Sequence, residues 1–226
     1  LSSGTSSGVQ KMIPRTSRNF SLSMEAFFLI SDMKAAKGIP NPSKSFSITR
    51  SGKERMTKSG LLAAPGTTHG LKVPAVQAMY EKMSTSPLAA VYLRDPRQSM
   101  YVHLFCALLR RGEVESIKTN FASVAYEAFQ MLEHHWRMFV HHIRTGSPPL
   151  DDDPKLFSDV VTAITSGVVT EGGDPDLADE LEAIFSAGPQ GMMRRLFPRC
   201  SSVEAIFTGS MGIYAPLLRC YAGEDS

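Results

Sequence analysis

Apolar side chains recur at helical spacing along much of the chain. This periodicity predicts helices at residues 17–37, 98–111, 124–143, 154–166 and 175–187. The first helix is expected to be amphipathic, with its apolar residues on one face. The helix over 124–143 has the clearest pattern, and Gly146 is placed to end it.

Short stretches with alternating apolar and polar residues lie between these helices. They predict strands at 45–50, within 114–123 and at 203–207, the last followed by a tight Thr-Gly-Ser turn and a final helix. The charged residues 51–60 predict a hairpin or loop. Because strands and helices interleave along the whole chain, the expected fold class is α/β, with mixed sheets flanked by helices.

Composition narrows the possible partners. The 226 residues include 24 Lys and Arg against 22 Asp and Glu, a net charge of +2 that gives no reason to expect a nucleic-acid partner. No apolar stretch approaches the roughly 18–20 residues that cross a bilayer, so no membrane partner is expected. The three cysteines form no CxxC pair, which disfavours zinc and favours a reduced protein, expected in the cytoplasm.

Four histidines crowd the helix predicted at 124–143. His134 and His141, like His135 and His142, are seven residues apart and therefore two turns apart, too far to share one metal ion. We expect these histidines to be solvated or to cap the helix, and we predict no metal site. Apolar residues on the same helix are expected to be core, namely Tyr126, Phe129, Leu132 and Trp136. No GxSxG motif is present to position a serine nucleophile.

The opening sequence LSSGTSSGVQKMIP has two interpretations. Its Ser, Gly and Thr residues are typical of a flexible linker or an expression tag. The same small residues would let backbone N–H groups approach a phosphate, and Lys11 would add a positive charge. Composition alone favours the linker, whereas the adjoining VQKMIP favours an ordered loop.

Four segments in the same order carry a resemblance to a known family. They are LSSGTSSGVQKMIP, RQSMYVHLFCALLRRGEVE, FASVAYEAFQMLEHHWRMFVHHIRTG and VEAIFTGSMGIYAPLLRCYAG. Together they resemble plant acyl acid–amido synthetases, the Gretchen Hagen auxin-responsive family of adenylate-forming enzymes. The resemblance covers nearly the whole chain except a divergent region around 34–62.

The resemblance implies a two-step ligase. A carboxylic acid hormone of the auxin, jasmonate or benzoate type would react with ATP and Mg²⁺ to give an acyl-adenylate, and an amino acid would then displace AMP to form an amide. Both substrates are small molecules, and we expect a monomer.

The resemblance also assigns residues to sites. Nucleotide binding falls to the opening residues Ser2, Ser3, Gly4, Thr5 and Ser6. The acyl-acid pocket would be lined by Asn19, Ser23 and Phe27 on one helix face, and by Lys118 and Asn120, which stand where the family has apolar or aromatic residues. Contact with the amino-acid substrate falls to Thr67 and Thr68, in the turn after LLAAPG. No catalytic residue is assigned.

The expected domain organisation is a single piece, residues 1–226, of the large N-terminal adenylating domain, with the C-terminal domain absent. The family's second nucleotide motif, Tyr-x-Ser-Ser-Glu, would begin shortly after Ser226. We therefore expect residues 1–226 alone to show no ligase turnover. The alternative is a truncated, non-catalytic homologue that acts as a nucleotide- or acid-binding module.

Overall fold

A computed structural model describes residues 12–14, 16–38, 42–149 and 155–223, with the backbone alone for Ser17, Phe27 and Thr67. The strands are β1 (Ser45–Ile48), β2 (Arg55–Met56), β3 (Leu62–Ala63), β4 (Ser116–Phe121) and β5 (Ser202–Ile206). The helices are α1 (Ser17–Ala36), α2 (Gly66–Gly70), α3 (Pro74–Met83), α4 (Leu88–Val91), α5 (Pro96–Leu109), α6 (Ala122–Thr145), α7 (Asp159–Ser166), α8 (Pro175–Ser186), α9 (Met192–Leu196) and α10 (Tyr214–Ala222). Short 3₁₀ helices occupy Arg111–Glu113 and Gly209–Ile213.

A parallel sheet of three strands, in the order β1-β4-β5, organises the described part of the chain. Parallel neighbours need long crossover connections, and helices α2–α5 and α6–α9 supply them. The hydroxyls of Ser45 and Ser116 lie 2.9 Å apart inside the sheet and form a buried hydrogen bond with each other. The sheet with flanking helices confirms the α/β class. Strands β2 and β3 pair antiparallel as a hairpin over 55–63, which overlaps the hairpin or loop predicted at 51–60.

Helix α5 lies at the centre of the core. Residues Ser99–Leu108 are buried without interruption, so the helix is enclosed on all sides rather than on one stripe. Its start is well defined, because the carboxylate of Asp95 accepts hydrogen bonds from the backbone N–H groups of Arg97 and Gln98, and Pro96 occupies the first turn.

Helix α6 follows β4 with no loop between them and runs to Gly146, which has φ 73°. Phe129 and Leu132 are fully buried, and Tyr126 and Trp136 are partly buried against the core, so the predicted core stripe is confirmed. The helix is kinked at His135, where φ is −122° and ψ is 19°.

Helix α8 packs along α6, and ion pairs join the middle of α8 to the last turn of α6. Arg144 donates to Asp179 at 2.5 Å and to Glu182 at 2.9 Å, and these carboxylates raise the pKa of the Arg144 side chain. Trp136 stacks on Phe185 with ring centroids 5.8 Å apart.

Several sequence predictions need correction. Three helices, α3, α4 and α9, were not predicted; α3 buries none of its residues, and the other two have only four and five residues, so none carries a strong periodic stripe. The fourth predicted helix begins at Asp159, where the Ser158 hydroxyl caps it, rather than at 154. The turn expected at Thr67 and Thr68 is the short helix α2.

Helix α1 forms where predicted, but its apolar residues do not share a buried face. Between 52% and 61% of the residue surface is exposed at Leu22, Phe28, Leu29, Ile30 and Met33. No helix among the described residues is long and apolar enough to cross a membrane. The three cysteines, all described, are free thiols.

His142 corrects the expectation that the α6 histidines are solvated or capping. Its ring is fully buried, with Nδ1 2.6 Å from the hydroxyl of Tyr101, while the rings of Phe105 and Phe157 also contact it. Burial lowers the pKa of His142 to about 4 and raises that of Tyr101, so the Tyr101 hydroxyl donates to a neutral imidazole. His134 and His135 are exposed, as expected.

We expect Gly173→Ala to destabilise the chain much more than Gly172→Ala. Both glycines have positive φ, 78° at Gly173 and 88° at Gly172. Alanine is strained in this left-handed region, so each substitution should lower the free energy of unfolding by about 1–2 kcal/mol. A Cβ at Gly173 would also overlap the Ile143 and Arg144 carbonyls at the end of α6, whereas Gly172 faces open space. The clash should add at least about 2 kcal/mol. Urea unfolding of both variants measures the difference, and equal losses would contradict this packing.

We expect stability to fall as pH drops from 6.5 toward 4. Burial lowers the pKa of both His103 and His142 to about 4, so between these pH values the unfolded chain binds more protons than the folded one. At pH 5 each histidine should lower the free energy of unfolding by about 2 kcal/mol relative to its value at neutral pH. His142→Gln should therefore lose less stability than the wild type between pH 7 and pH 5. His134→Gln, at an exposed position, should match the wild type; a His142→Gln variant with unchanged pH dependence would contradict the assignment.

Candidate functional site

The carboxyl ends of β4 and β5 meet at an irregularity of the sheet. From Lys118 to Phe121 strand β4 advances three residues, while its partner advances only two, from Glu204 to Ile206. The extra residue is a β-bulge, a feature often found beside functional sites because it redirects side chains. Ligands of parallel sheets also bind at the carboxyl ends of the strands. Asn120, within the bulge, is exposed.

Two lysines share the carboxylate of Glu204. Lys118 is the residue paired with Glu204 across the two strands, and its Nζ lies 3.8 Å from one carboxylate oxygen. Lys34 of α1 lies 3.8 Å from the other oxygen. These contacts join α1 to the sheet and balance part of the positive charge of Lys118.

Glu204 and both lysines line a cleft of about 440 Å³ between α1 and α3. The cleft walls are mainly apolar, and a third lysine, Lys82, lies at the end of α3. The remaining lining residues are Phe28, Ile30, Ser31, Pro42, Ser43, Met79 and Met83. We call this cavity the α1–α3 cleft.

Asn19 and Ser23 line a different cleft, of about 420 Å³, beside the start of α1. The Asn19 side chain accepts hydrogen bonds from the Thr16 backbone and hydroxyl at 3.2 and 2.7 Å, while Thr16 accepts from the Asn19 backbone N–H. This is a capping box, and the Ser23 hydroxyl donates to the Asn19 carbonyl at 2.8 Å. Both polar side chains therefore bond within the helix while they face the cleft.

Thr68 is buried, and its hydroxyl accepts a hydrogen bond of 2.7 Å from the backbone N–H of Gly52. The bond fixes α2 to the loop that follows β1. The side chains of Thr67 and Phe27 lie outside the described atoms, and Ser2, Ser3, Gly4, Thr5 and Ser6 lie outside the described residues. The nucleotide, acid and amino-acid assignments therefore stay predictions.

Comparison with known proteins decides the family. The sequence model described as the GH3 family N-terminal domain matches residues 1–226. The chain belongs to the GH3 family.

Two curated relatives in the GH3 family are plant proteins. The probable indole-3-acetic acid-amido synthetase GH3.13 of Oryza sativa subsp. japonica is 35% identical over 98% of this chain and 48% of its own length. The 4-substituted benzoates-glutamate ligase GH3.12 of Arabidopsis thaliana is 30% identical over 99% of this chain and 39% of its own length. The chain thus spans less than half the length of these relatives.

Solved GH3 structures share the fold. The AtGH3.15 acyl acid amido synthetase in complex with 2,4-DB superposes with a TM-score of 0.78 at 31% identity, over 98% of this chain and 38% of that one. A second structure, the GH3.15 acyl acid amido synthetase, gives a TM-score of 0.76 over 94% of this chain and 37% of that one. The expected fold, part of the N-terminal domain of such an enzyme, is confirmed.

The GH3 fold brings some predicted residues together and separates others. Asn19 and Ser23 share a face, as the spacing predicts, but Lys118 lines the α1–α3 cleft instead. Sequence reasoning missed Glu204 and the two lysines Lys34 and Lys82. The sequence did contain one indication of Glu204, which interrupts the apolar run Val203–Phe207. A charged residue within a strand usually forms an ion pair when it is buried.

Proposed function

We propose that this chain is the adenylating portion, residues 1–226, of an acyl acid–amido synthetase. The acid carboxylate would attack the α-phosphate of ATP, which forms the acyl-adenylate and releases pyrophosphate. The amine of an amino acid would then attack the acyl carbon and release AMP. A carboxylate is a poor electrophile, and adenylation gives it a good leaving group.

One observation carries the proposal: SSGTSSG, which resembles the family's first nucleotide motif, lies in a chain whose residues 1–226 match the GH3 family N-terminal domain. Small residues allow several backbone N–H groups to converge on phosphate oxygens without steric interference from a Cβ. The printed activities of the relatives, indole-3-acetic acid and benzoate conjugation, support the same reaction class.

Mg²⁺ enters the proposal with ATP, as the ion that neutralises phosphate charge. Among the residues that the structure describes, no group of three or more His, Cys, Asp or Glu side chains is placed to hold a metal ion. The proposal therefore derives no step from a protein-bound metal.

The described residues bear on which acid would be bound. An unpaired lysine in the acid pocket would disfavour an apolar ring, but Lys118 is paired with Glu204. Asn120, an uncharged polar residue of β4 that is exposed at the bulge, could then select the acid. Acids of the auxin, jasmonate and benzoate types all remain candidates.

The relatives are more than twice as long as this chain, so we propose that turnover needs sequence beyond these 226 residues, including a C-terminal domain. We also propose a cytoplasmic monomer, from the near-neutral charge and the unpaired cysteines. The alternative is a non-catalytic module that binds nucleotide or acid.

We expect the 226-residue chain to bind MgATP, and Ser3→Ala combined with Thr5→Ala to weaken binding about tenfold, because two hydroxyl donors to charged phosphate are lost. Isothermal titration calorimetry measures the affinity. Thr57→Ala with Ser59→Ala, in the turn between β2 and β3, is the matched control and should bind normally.

Absence of MgATP binding, or full affinity in the Ser3/Thr5 variant, would contradict the nucleotide assignment. Amide formation by the 226-residue chain, measured by mass spectrometry with indole-3-acetate and an amino-acid mixture, would contradict its inactivity. Failure of a chain extended to the relatives' full length to form any amide would instead favour the binding module.

A further inference from the structure

A further cleft lies between the start of α5 and the middle of α6. Its volume of about 370 Å³ is in the range of small-ligand pockets, roughly 300–1,000 Å³. Met100 of α5 and Met131 of α6 contribute apolar surface to it, and Arg50 lines it from the loop that follows β1. We call this cavity the α5–α6 cleft.

Basic side chains dominate the polar lining of the α5–α6 cleft. Four of them line it, namely Arg50, Arg97, His134 and His135. Among the described residues that line the cleft, Glu127 supplies the one carboxylate. Arginine stays charged throughout the physiological pH range, so the two guanidinium groups leave an excess of positive charge even when both histidines are neutral. This excess favours an anionic ligand.

Two consecutive histidines line this cleft at the kink in α6. A regular helix directs successive side chains about 100° apart, so neighbours in sequence do not usually face the same site. The backbone departs from helical angles at His135, and both His134 and His135 line the cleft. The Nδ1–H of His134 donates to the Gln130 carbonyl at 2.8 Å. Its Nε2 is therefore the ring nitrogen that can meet a ligand, and it donates to an anion when protonated.

We propose that the α5–α6 cleft binds a small organic phosphate monoester. The phosphoryl group lies between Arg50 and Arg97, and the organic body packs against Met100 and Met131. A phosphate monoester carries about 1.5–2 negative charges at neutral pH and three strong acceptor oxygens, so it can engage several basic side chains at once. Each guanidinium group offers paired N–H donors that match these oxygens. The methionines give the organic body an apolar partner, which inorganic phosphate could not use.

This site is separate from those assigned to the ligase reaction. The residues assigned to the acid and the amino acid, where the structure describes their side chains, do not line the α5–α6 cleft; they are Asn19, Ser23, Thr68, Lys118 and Asn120. A nucleotide loop also binds phosphate, so the experiment has to separate the cleft from the opening loop of the chain. The Ser3→Ala variant combined with Thr5→Ala serves this purpose.

Titration of the 226-residue chain with phenyl phosphate, followed by NMR shifts of the methionine methyl groups, tests the proposal. The matched neutral probe is phenol, which has the same ring without the phosphate. We expect shifts at Met100 and Met131 with phenyl phosphate, and binding at least about tenfold weaker with phenol. Inorganic phosphate, which lacks the ring, should bind at least about threefold weaker. Equal binding of phenyl phosphate and either probe, or no shift at these methionines, would overturn the proposal.

Substitutions with opposite expected effects separate charge recognition from structural damage. Arg50→Gln should weaken binding of phenyl phosphate about tenfold, because hydrogen bonds to a charged group are lost. Glu127→Gln removes a negative charge from the cleft and should tighten binding about threefold. The control Arg55→Gln removes an exposed arginine of β2, outside the cleft, and should leave the affinity unchanged. Weaker binding by Glu127→Gln, or an equal loss in Arg55→Gln, would overturn the proposal.

The variant with Ser3→Ala and Thr5→Ala distinguishes the cleft from the opening loop. We expect it to bind phenyl phosphate with unchanged affinity, whatever its affinity for MgATP. Loss of phenyl phosphate binding in this variant, with binding retained in Arg50→Gln, would assign the phosphate to the opening loop and overturn the proposal. The outcome is therefore distinguishable from that of the nucleotide-binding test.

Thermal unfolding of each variant checks that the fold persists. Should Arg50→Gln fail to fold, Arg97→Gln, at an exposed position, replaces it and is expected to weaken binding of phenyl phosphate. Unchanged affinity in the folded arginine variants of the cleft would overturn the proposal.

Discussion

Strand β4 is hydrogen-bonded on both edges, and the positions of the other elements follow from its register. Ile117 is fully buried and pairs with Phe46 on one side and Val203 on the other. A slip of one residue would exchange Ile117 for Lys118 in the core, at the cost of burying a charge. Glu115 fixes this register from the strand's beginning, since its carboxylate accepts hydrogen bonds from Ser43 and Arg199, and those from Ser43 lower its pKa.

The register also decides which side chains lie at the carboxyl end of the sheet. Because Lys118 pairs with Glu204, a lysine that the family resemblance assigns to an acid pocket has its charge partly neutralised by the neighbouring strand. The bulge that follows exposes Asn120. Lys34 joins the same carboxylate, so the sheet holds α1 partly through charge rather than through a buried apolar face. The sheet and the core helices therefore form the stable part of the fold, and α1 is held to them more weakly.

The elements that can be predicted from the sequence are those with a clear hydrophobic pattern within their own residues. Helix α6 was predicted from its apolar stripe and Gly146, and α8 from its own period, because each buries one face against a neighbour. Helices α3, α4 and α9 are short or bury little, so they leave no such stripe. The burial of His142 was missed because its partner, Tyr101, is 41 residues away. Lys118 and Glu204 are likewise distant in sequence, and only the pairing of β4 with β5 brings them together.

Native-state hydrogen exchange tests most directly whether β4 and its flanking helices form the stable support. The account predicts that amides of β4, and those in the interior of α5 and α6, exchange only through global unfolding. Amides in α1 should open locally, at a free energy at least about 2 kcal/mol lower, because few of the side chains of α1 are buried. Protection of α1 equal to that of β4 would contradict the account.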